Sequence, residues 1–153
     1  MYNVEKIVNW LRVKNHADLR EYDYVDELTQ MKAMKLLYYI QGTSLVVLKE
    51  RLFPDDIVAW KYGPVVQSVH DMYAGKREIV GDITSQDIKD YETLNSNPKV
   101  AAVLNAVYSA FGNMSAADLV KQTHNESPWK TTQQSMVITD EKLKEYFKTI
   151  VTE

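Results

Sequence analysis

Ile57-Val58-Ala59-Trp60-Lys61-Tyr62-Gly63-Pro64-Val65-Val66 is the stretch on which the reading of this chain turns. Its first half alternates at period two, with Val58, Trp60 and Tyr62 on one face and Ile57, Ala59 and Lys61 on the other, which predicts a short strand. Gly63-Pro64 then changes the period. Proline fits a first helical position, where its missing N–H has no intrahelical partner, so the spacing predicts a helix opening at Pro64. Val65, Val66, Val69, Met72 and Tyr73 recur at helical spacing beyond it, and Gly75 is the expected cap. Two large aromatics, Trp60 and Tyr62, are thereby held at a corner beside a helix N-terminus. That corner reads either as structural, with the Trp in the core, or as a recognition edge.

Upstream of the corner, Val4, Ile7, Val8 and Leu11 make one face of a first helix, with Trp10 beside it and an end expected near Asn15-His16. The acidic segment 17–28, containing Tyr22-Asp23-Tyr24, reads as a surface connection. Thr29 is placed to cap a second helix, from Met31 to about Lys49. That helix is apolar on most sides, which predicts a central position. Gly42 costs about 1 kcal/mol there relative to Ala, so a neighbouring element is expected to cross closely or the helix to bend. Pro54-Asp55-Asp56 reads as a solvated turn.

Downstream, Glu78-Ile79-Val80-Gly81 is the expected partner strand of residues 57–60. Thr84 with Asp87 and Ser115 with Asp118 have capping-box spacing. The pairs Ile83/Ile88, Met114/Leu119 and Ile138/Leu143 staple across the caps Thr84, Ser115 and Thr139. Asn97-Pro98 opens a helix with the stripe Val100, Val103, Leu104, Val107, Tyr108 and Phe111, closed by Gly112. A last helix runs from Asp140 to about Val151 with Leu143, Tyr146, Phe147 and Ile150 on one side. The expectation is one mainly α domain over residues 1–153, of about seven helices with a short two-stranded β element.

Composition narrows the function. The chain has 153 residues, 45% hydrophobic and 25% charged, as in an ordinary globular domain. A net charge of -3 argues against binding nucleic acid or anionic membrane. The absence of Cys removes disulfides, thiol catalysis and thiolate metal sites. The N-terminus has no secretory signal pattern and the longest uncharged run, 36–48, is too short to span a bilayer, so a cytoplasmic location is expected. No phosphate loop, nucleophile elbow or metalloprotease motif is present. His16, His70 and His124 fall in separate elements, so neither a metal nor a cofactor is expected. The run Thr123-His124-Asn125-Glu126-Ser127-Pro128-Trp129 ends a helix, and two readings stand for it. Either Trp129 packs back on the core, or the run forms a recognition edge, with His124 and Glu126 as a local hydrogen-bonded pair.

Three motifs in register resemble a known family. Lys35-Leu36-Leu37-Tyr38-Tyr39-Ile40-Gln41-Gly42, then Leu52-Phe53 leading to Ala59-Trp60-Lys61-Tyr62-Gly63-Pro64-Val65-Val66, then Thr123-His124 with Ser127-Pro128-Trp129, look like the signature of the Panacea domain, also called the SocA-like or phage-associated antitoxin domain. The resemblance extends from the first helix to the last. It implies a compact helical, non-enzymatic antitoxin that binds and neutralises a toxin protein encoded next to it, often on prophages and mobile elements. Some relatives act as adaptors that present the toxin to a protease. Tyr38, Trp60, Tyr62, Gly63, Pro64, Thr123, His124, Pro128 and Trp129 carry over as shared structural or partner-binding positions. Lys49-Glu50-Arg51 stands where relatives often have a small Gly-containing turn, and nothing here resembles the DNA-binding module that many relatives carry.

Overall fold

The computed structural model describes residues 1–151. In chain order the elements are α1 (Val4–Glu21), α2 (Gln30–Val47), β1 (Ile57–Trp60), β2 (Gly63–Val65), α3 (Gln67–Met72), α4 (Ser85–Asn95), α5 (Pro98–Phe111), α6 (Ala116–His124), α7 (Ser127–Lys130), β3 (Val137–Ile138) and α8 (Asp140–Ile150). The protein is mainly α, with one small antiparallel sheet in the order β2-β1-β3. Seven of the eight helices among the described residues are those expected. The additional one, α7, is a single turn in which Pro128 restarts the helix just after the stop at Asn125.

Helix α2 is the centre of the molecule. It is buried along nearly its whole length and packs against α5, α6, α8 and β2, which explains why its apolar residues are not confined to one stripe. Gly42 is the point of closest approach. A Cβ there would overlap the ring of Phe147 on α8, so the missing side chain admits the crossing helix. The N-terminal caps read from sequence all form, whereas the helix expected to be capped by Gly75 ends earlier, with Tyr73 at its cap position. The side chains of Thr29, Thr84, Asn97, Ser115 and Thr139 each accept from a backbone N–H two or three residues on, and Thr84 with Asp87 completes a reciprocal box.

Helix α1 continues past Asn15 to Glu21 because nothing in the intervening residues breaks it. Asn15 is buried inside it. Its amide donates to Asp26 O (3.0 Å) and accepts from Leu28 N (2.9 Å), tying down the returning chain. Trp10 is wholly buried, stacks on Tyr91 and donates to Asn95 Oδ1 at 3.0 Å, fastening α1 to α4.

The decisive stretch folds differently from its periodicity. Gly63-Pro64-Val65 is not the start of a helix but a strand, paired with β1 in the register Val58↔Val65, Ala59↔Pro64 and Trp60↔Gly63. The backbone of Ala59 is committed to the other side, where its N–H donates to Met136 O (2.9 Å) and its carbonyl accepts from Ser135 N (2.6 Å). The Ala59↔Pro64 pair therefore needs no ladder bond, and the missing proline N–H costs nothing. Gly63, at φ 114°, supplies the positive φ after the tight Lys61-Tyr62 reversal. Helix α3 opens only at Gln67 and ends at Met72, with Gly75 in the turn beyond it. Ile57 and Ala59 face the core, and Val58 and Trp60 lie half-buried on the other face.

The expected strand at residues 78–81 does not join this sheet. Glu78 bridges Thr29 instead, Ile79 N donates to Leu28 O (3.1 Å), and Arg12 Nε donates to Ile79 O (2.8 Å). The second partner of β1 is β3, through Ile57↔Ile138 and Val58↔Val137.

Candidate functional site

The family-type residues converge from three distant parts of the chain. On α2, Lys35, Tyr38 and Tyr39 follow i, i+3, i+4 spacing and so share one face. Both tyrosines are buried, and their hydroxyls donate to Glu126, Tyr38 to Oε1 and Tyr39 to Oε2, each at 2.9 Å. Glu126 is the residue preceding α7, yet its side chain turns inward rather than capping that helix. Gln122 Nε2, one turn earlier, lies 3.4 Å from Oε2.

Burial raises the carboxyl pKa of Glu126, and the hydrogen bonds from Tyr39 and Tyr38 act in the opposite direction. The same burial, added to by the Glu126 charge, pushes the Tyr38 and Tyr39 phenols far above their ordinary range. Tyr146 on α8 is pushed up to about 12, again by burial first and the Glu126 charge second. A carboxylate whose two oxygens are each bound by a tyrosine is held in place and turned from solvent. It joins α2 to the α6–α7 corner.

Below the hairpin lies Lys35, only 1% exposed, whose Nζ donates to Pro64 O at 3.2 Å. Burial pushes its amine down to about 8. The side chain passes close under Gly63, where a Cβ would come within 2.7 Å of Lys35 Cε and 3.0 Å of Thr123 Oγ1. Thr123 is fully buried and donates to Val120 O at 3.0 Å. Gly63 thus does two jobs, supplying the positive φ and leaving room for Lys35 and Thr123.

Above this base sits an aromatic corner. Trp129 Nε1 donates to Trp60 O at 2.8 Å, locking α7 to the hairpin. His124 stacks on Trp129 with ring centroids 4.0 Å apart and planes 15° from parallel, and His70 meets Trp60 edge-on at 4.9 Å. Among the described residues, His124 Nε2 is a buried nitrogen without a hydrogen-bond partner. Tyr62, at the tip of the hairpin, is 57% exposed with Lys61 Nζ 5.5 Å from its ring centroid.

Of the nine residues singled out in the sequence, Tyr38, Gly63, Pro64, Thr123 and Pro128 are buried, Trp60, His124 and Trp129 are half-buried, and Tyr62 is exposed. The expected His124–Glu126 pair does not form. His124 faces Trp129, while Glu126 is taken by the two tyrosines. Asp55 accepts from Ser68 Oγ (2.5 Å) and Asp56 pairs with Arg51 (3.1 Å), ordinary turn contacts. In the sequence, Lys35 and Tyr39 stand out only as part of the first motif, Glu126 only as a partner of His124, and His70 not as a member of the cluster. The signal for two of them was present, since a lysine and a second tyrosine inside a helix apolar all round must have polar partners. Among the described residues no group of three His, Asp or Glu could hold a metal ion, and no single helix is long and apolar enough to cross a membrane.

Residues 34–130 match the family described as "Antitoxin SocA-like, Panacea domain", a span covering more than half of the chain and every residue of the cluster except Tyr146. The chain belongs to the SocA-like Panacea antitoxin family. No curated protein and no solved structure matches it significantly. The family match is narrower than the resemblance along the sequence, leaving α1, β3 and α8 outside it. In this chain most of the residues that resemble the Panacea signature make internal contacts. The buried ones join α2, the hairpin and the α6–α7 corner, and the aromatic ones reach the surface above them.

Proposed function

We propose that this chain neutralises a cognate protein toxin by binding it, with the aromatic corner of Trp60, Tyr62 and Trp129 as the contact surface. It acts as one non-enzymatic domain in the cytoplasm, without nucleic acid, cofactor or metal. Family membership supports the antitoxin role. The observation that carries the choice of surface is Tyr62, a large exposed aromatic on a hairpin tip whose neighbouring backbone is braced by Lys35 and Trp129. Rigid aromatics of this kind bring large contact area at little loss of conformational freedom.

The test is co-expression with the protein encoded next to it, scored by growth and by co-purification at a fixed ratio. Tyr62→Ala is expected to leave the urea midpoint unchanged and weaken the complex about tenfold or more. Full-strength binding by Tyr62→Ala and by the Trp129→Phe variant would remove the corner from the interface. Toxin half-life in the same cells separates blocking from delivery to a protease. Unchanged half-life with restored growth supports blocking, and a shortened half-life supports the adaptor reading.

A further inference from the structure

A second feature lies outside the Panacea motif. The C-terminal half of α1, the segment after it and α5 enclose an open groove of about 360 Å³, lined by Lys14, Asp18, Tyr22, Tyr24, Asn105 and Tyr108 among others. Tyr22 and Tyr24 are exposed, with ring centroids 5.5 Å apart and planes 33° from parallel. Neither ring is held in the apolar core. The Tyr108 hydroxyl donates to Asp18 Oδ2 at 2.9 Å, and Lys14 Nζ lies 5.8 Å from the Tyr108 ring centroid. A cation against an aromatic face is thus already one of the groove's own contacts.

Around Lys14, the groove's own cation, the charge is predominantly negative. Residues 17–28 carry Asp18, Glu21, Asp23, Asp26 and Glu27 against Arg20 alone. The Glu21 charge, followed by burial and the Tyr24 and Asp18 charges, raises the Tyr22 phenol pKa, as a negative field at that ring requires. Exposed tyrosine faces with the carboxylates of Glu21 and Asp18 beside them favour a planar cation. Guanidinium stacks on aromatic rings while its edge donates to carboxylates, and it is desolvated more easily than an ammonium. Phosphates are repelled by the same field, and a purely apolar segment would leave the carboxylates without a partner.

We propose that this groove binds an arginine-bearing basic segment of the toxin, the guanidinium lying on the Tyr22–Tyr24 pair and donating to Asp18 and its neighbouring carboxylates. The identity of the occupant as the toxin rests on the antitoxin reading; the arginine selectivity of the groove does not. Toxin binding would then use two surfaces, an aromatic corner within the family motif and an electrostatic groove outside it.

The first arm titrates the isotope-labelled full chain with a blocked pentapeptide carrying two arginines, and with the same peptide carrying lysines or glutamates. Saturable amide shifts at Tyr22, Tyr24 and Tyr108, weakened by 0.5 M salt and absent with the glutamate peptide, are expected. Asp18→Asn and Tyr24→Ala should each weaken arginine-peptide binding about threefold, with Glu145→Gln on α8 as an unaffected charge-matched control. No saturable shift with the arginine peptide, or equal shifts with the lysine or glutamate peptide, overturns the proposal. The second arm measures toxin affinity for the same variants. Weakening confined to Asp18→Asn and Tyr24→Ala supports the toxin as occupant, and unchanged affinity overturns that assignment while leaving the antitoxin reading standing. If the toxin does not bind the unaltered chain at all, the antitoxin reading fails and the toxin with it as occupant, while the peptide arm alone decides arginine selectivity.

Discussion

Lys35 and Glu126 are both buried, and they are held in different ways. Glu126 has two tyrosine hydroxyls, whereas Lys35 has the carbonyl of Pro64. The folded amine titrates near 8 against its ordinary 10.5, so between those values the unfolded chain binds more protons and folding stability rises with pH. Below about pH 8 the penalty of burying the charge is fully present. Lys35→Met is therefore expected to gain most over the parent at pH 7.5, with the gap narrowing by roughly 1–2 kcal/mol by pH 9.5 in urea unfolding. A constant gap would show that the amine is hydrated in the native protein. Glu126→Ala removes the acceptor of two buried hydroxyls and should cost about 2–4 kcal/mol, because each orphaned group keeps its desolvation penalty. A loss below about 1 kcal/mol in the same experiment would mean that Tyr38 and Tyr39 find other partners.

Elements meet where small residues let them. Gly42→Ala improves the intrinsic helix propensity of α2 yet drives a methyl group into Phe147, so a net loss of about 2 kcal/mol is expected by thermal or urea unfolding. Stabilisation would show that α8 can shift without penalty. The close approach at Gly42 was legible in the sequence, because glycine in the middle of a buried helix is unfavourable unless something occupies the space. The helix caps were legible for a similar reason. A threonine or serine hydroxyl, or an asparagine amide oxygen, and the N–H it satisfies are two or three residues apart, within one local turn. The partners of β1 were not legible. Pro64 suits a first helical turn and equally suits a strand position that needs no donor, and only the commitment of Ala59 to β3 decides between them.

At the scale of the whole molecule, the region matching the family does not contain the whole core. Ile7, Val8, Trp10 and Leu11 of α1 and Leu143 and Phe147 of α8 are buried in the same cluster as α2. A fragment limited to residues 34–130 is therefore expected to show no cooperative urea transition, while the full chain shows one. A sharp transition in the fragment would make α1 and α8 dispensable decorations of the fold. The same distribution makes sense of the two surfaces. The family motif braces the hairpin and displays the aromatic corner, whereas the tyrosine groove joins α1 and the segment after it, outside the match, to α5 inside it.

The sequence by itself determined the mainly helical class, the central place of α2, the helix starts and the family. Each of these depends on contacts within a few residues or on a motif repeated in order along the chain. The tertiary structure alone decided that Gly63-Pro64 is a strand, that β3 rather than residues 78–81 completes the sheet, and that Glu126 turns to Tyr38 and Tyr39 instead of His124. Those choices pair groups more than 80 residues apart, or depend on which of several available partners the packed core leaves within reach, and local spacing carries no information about either.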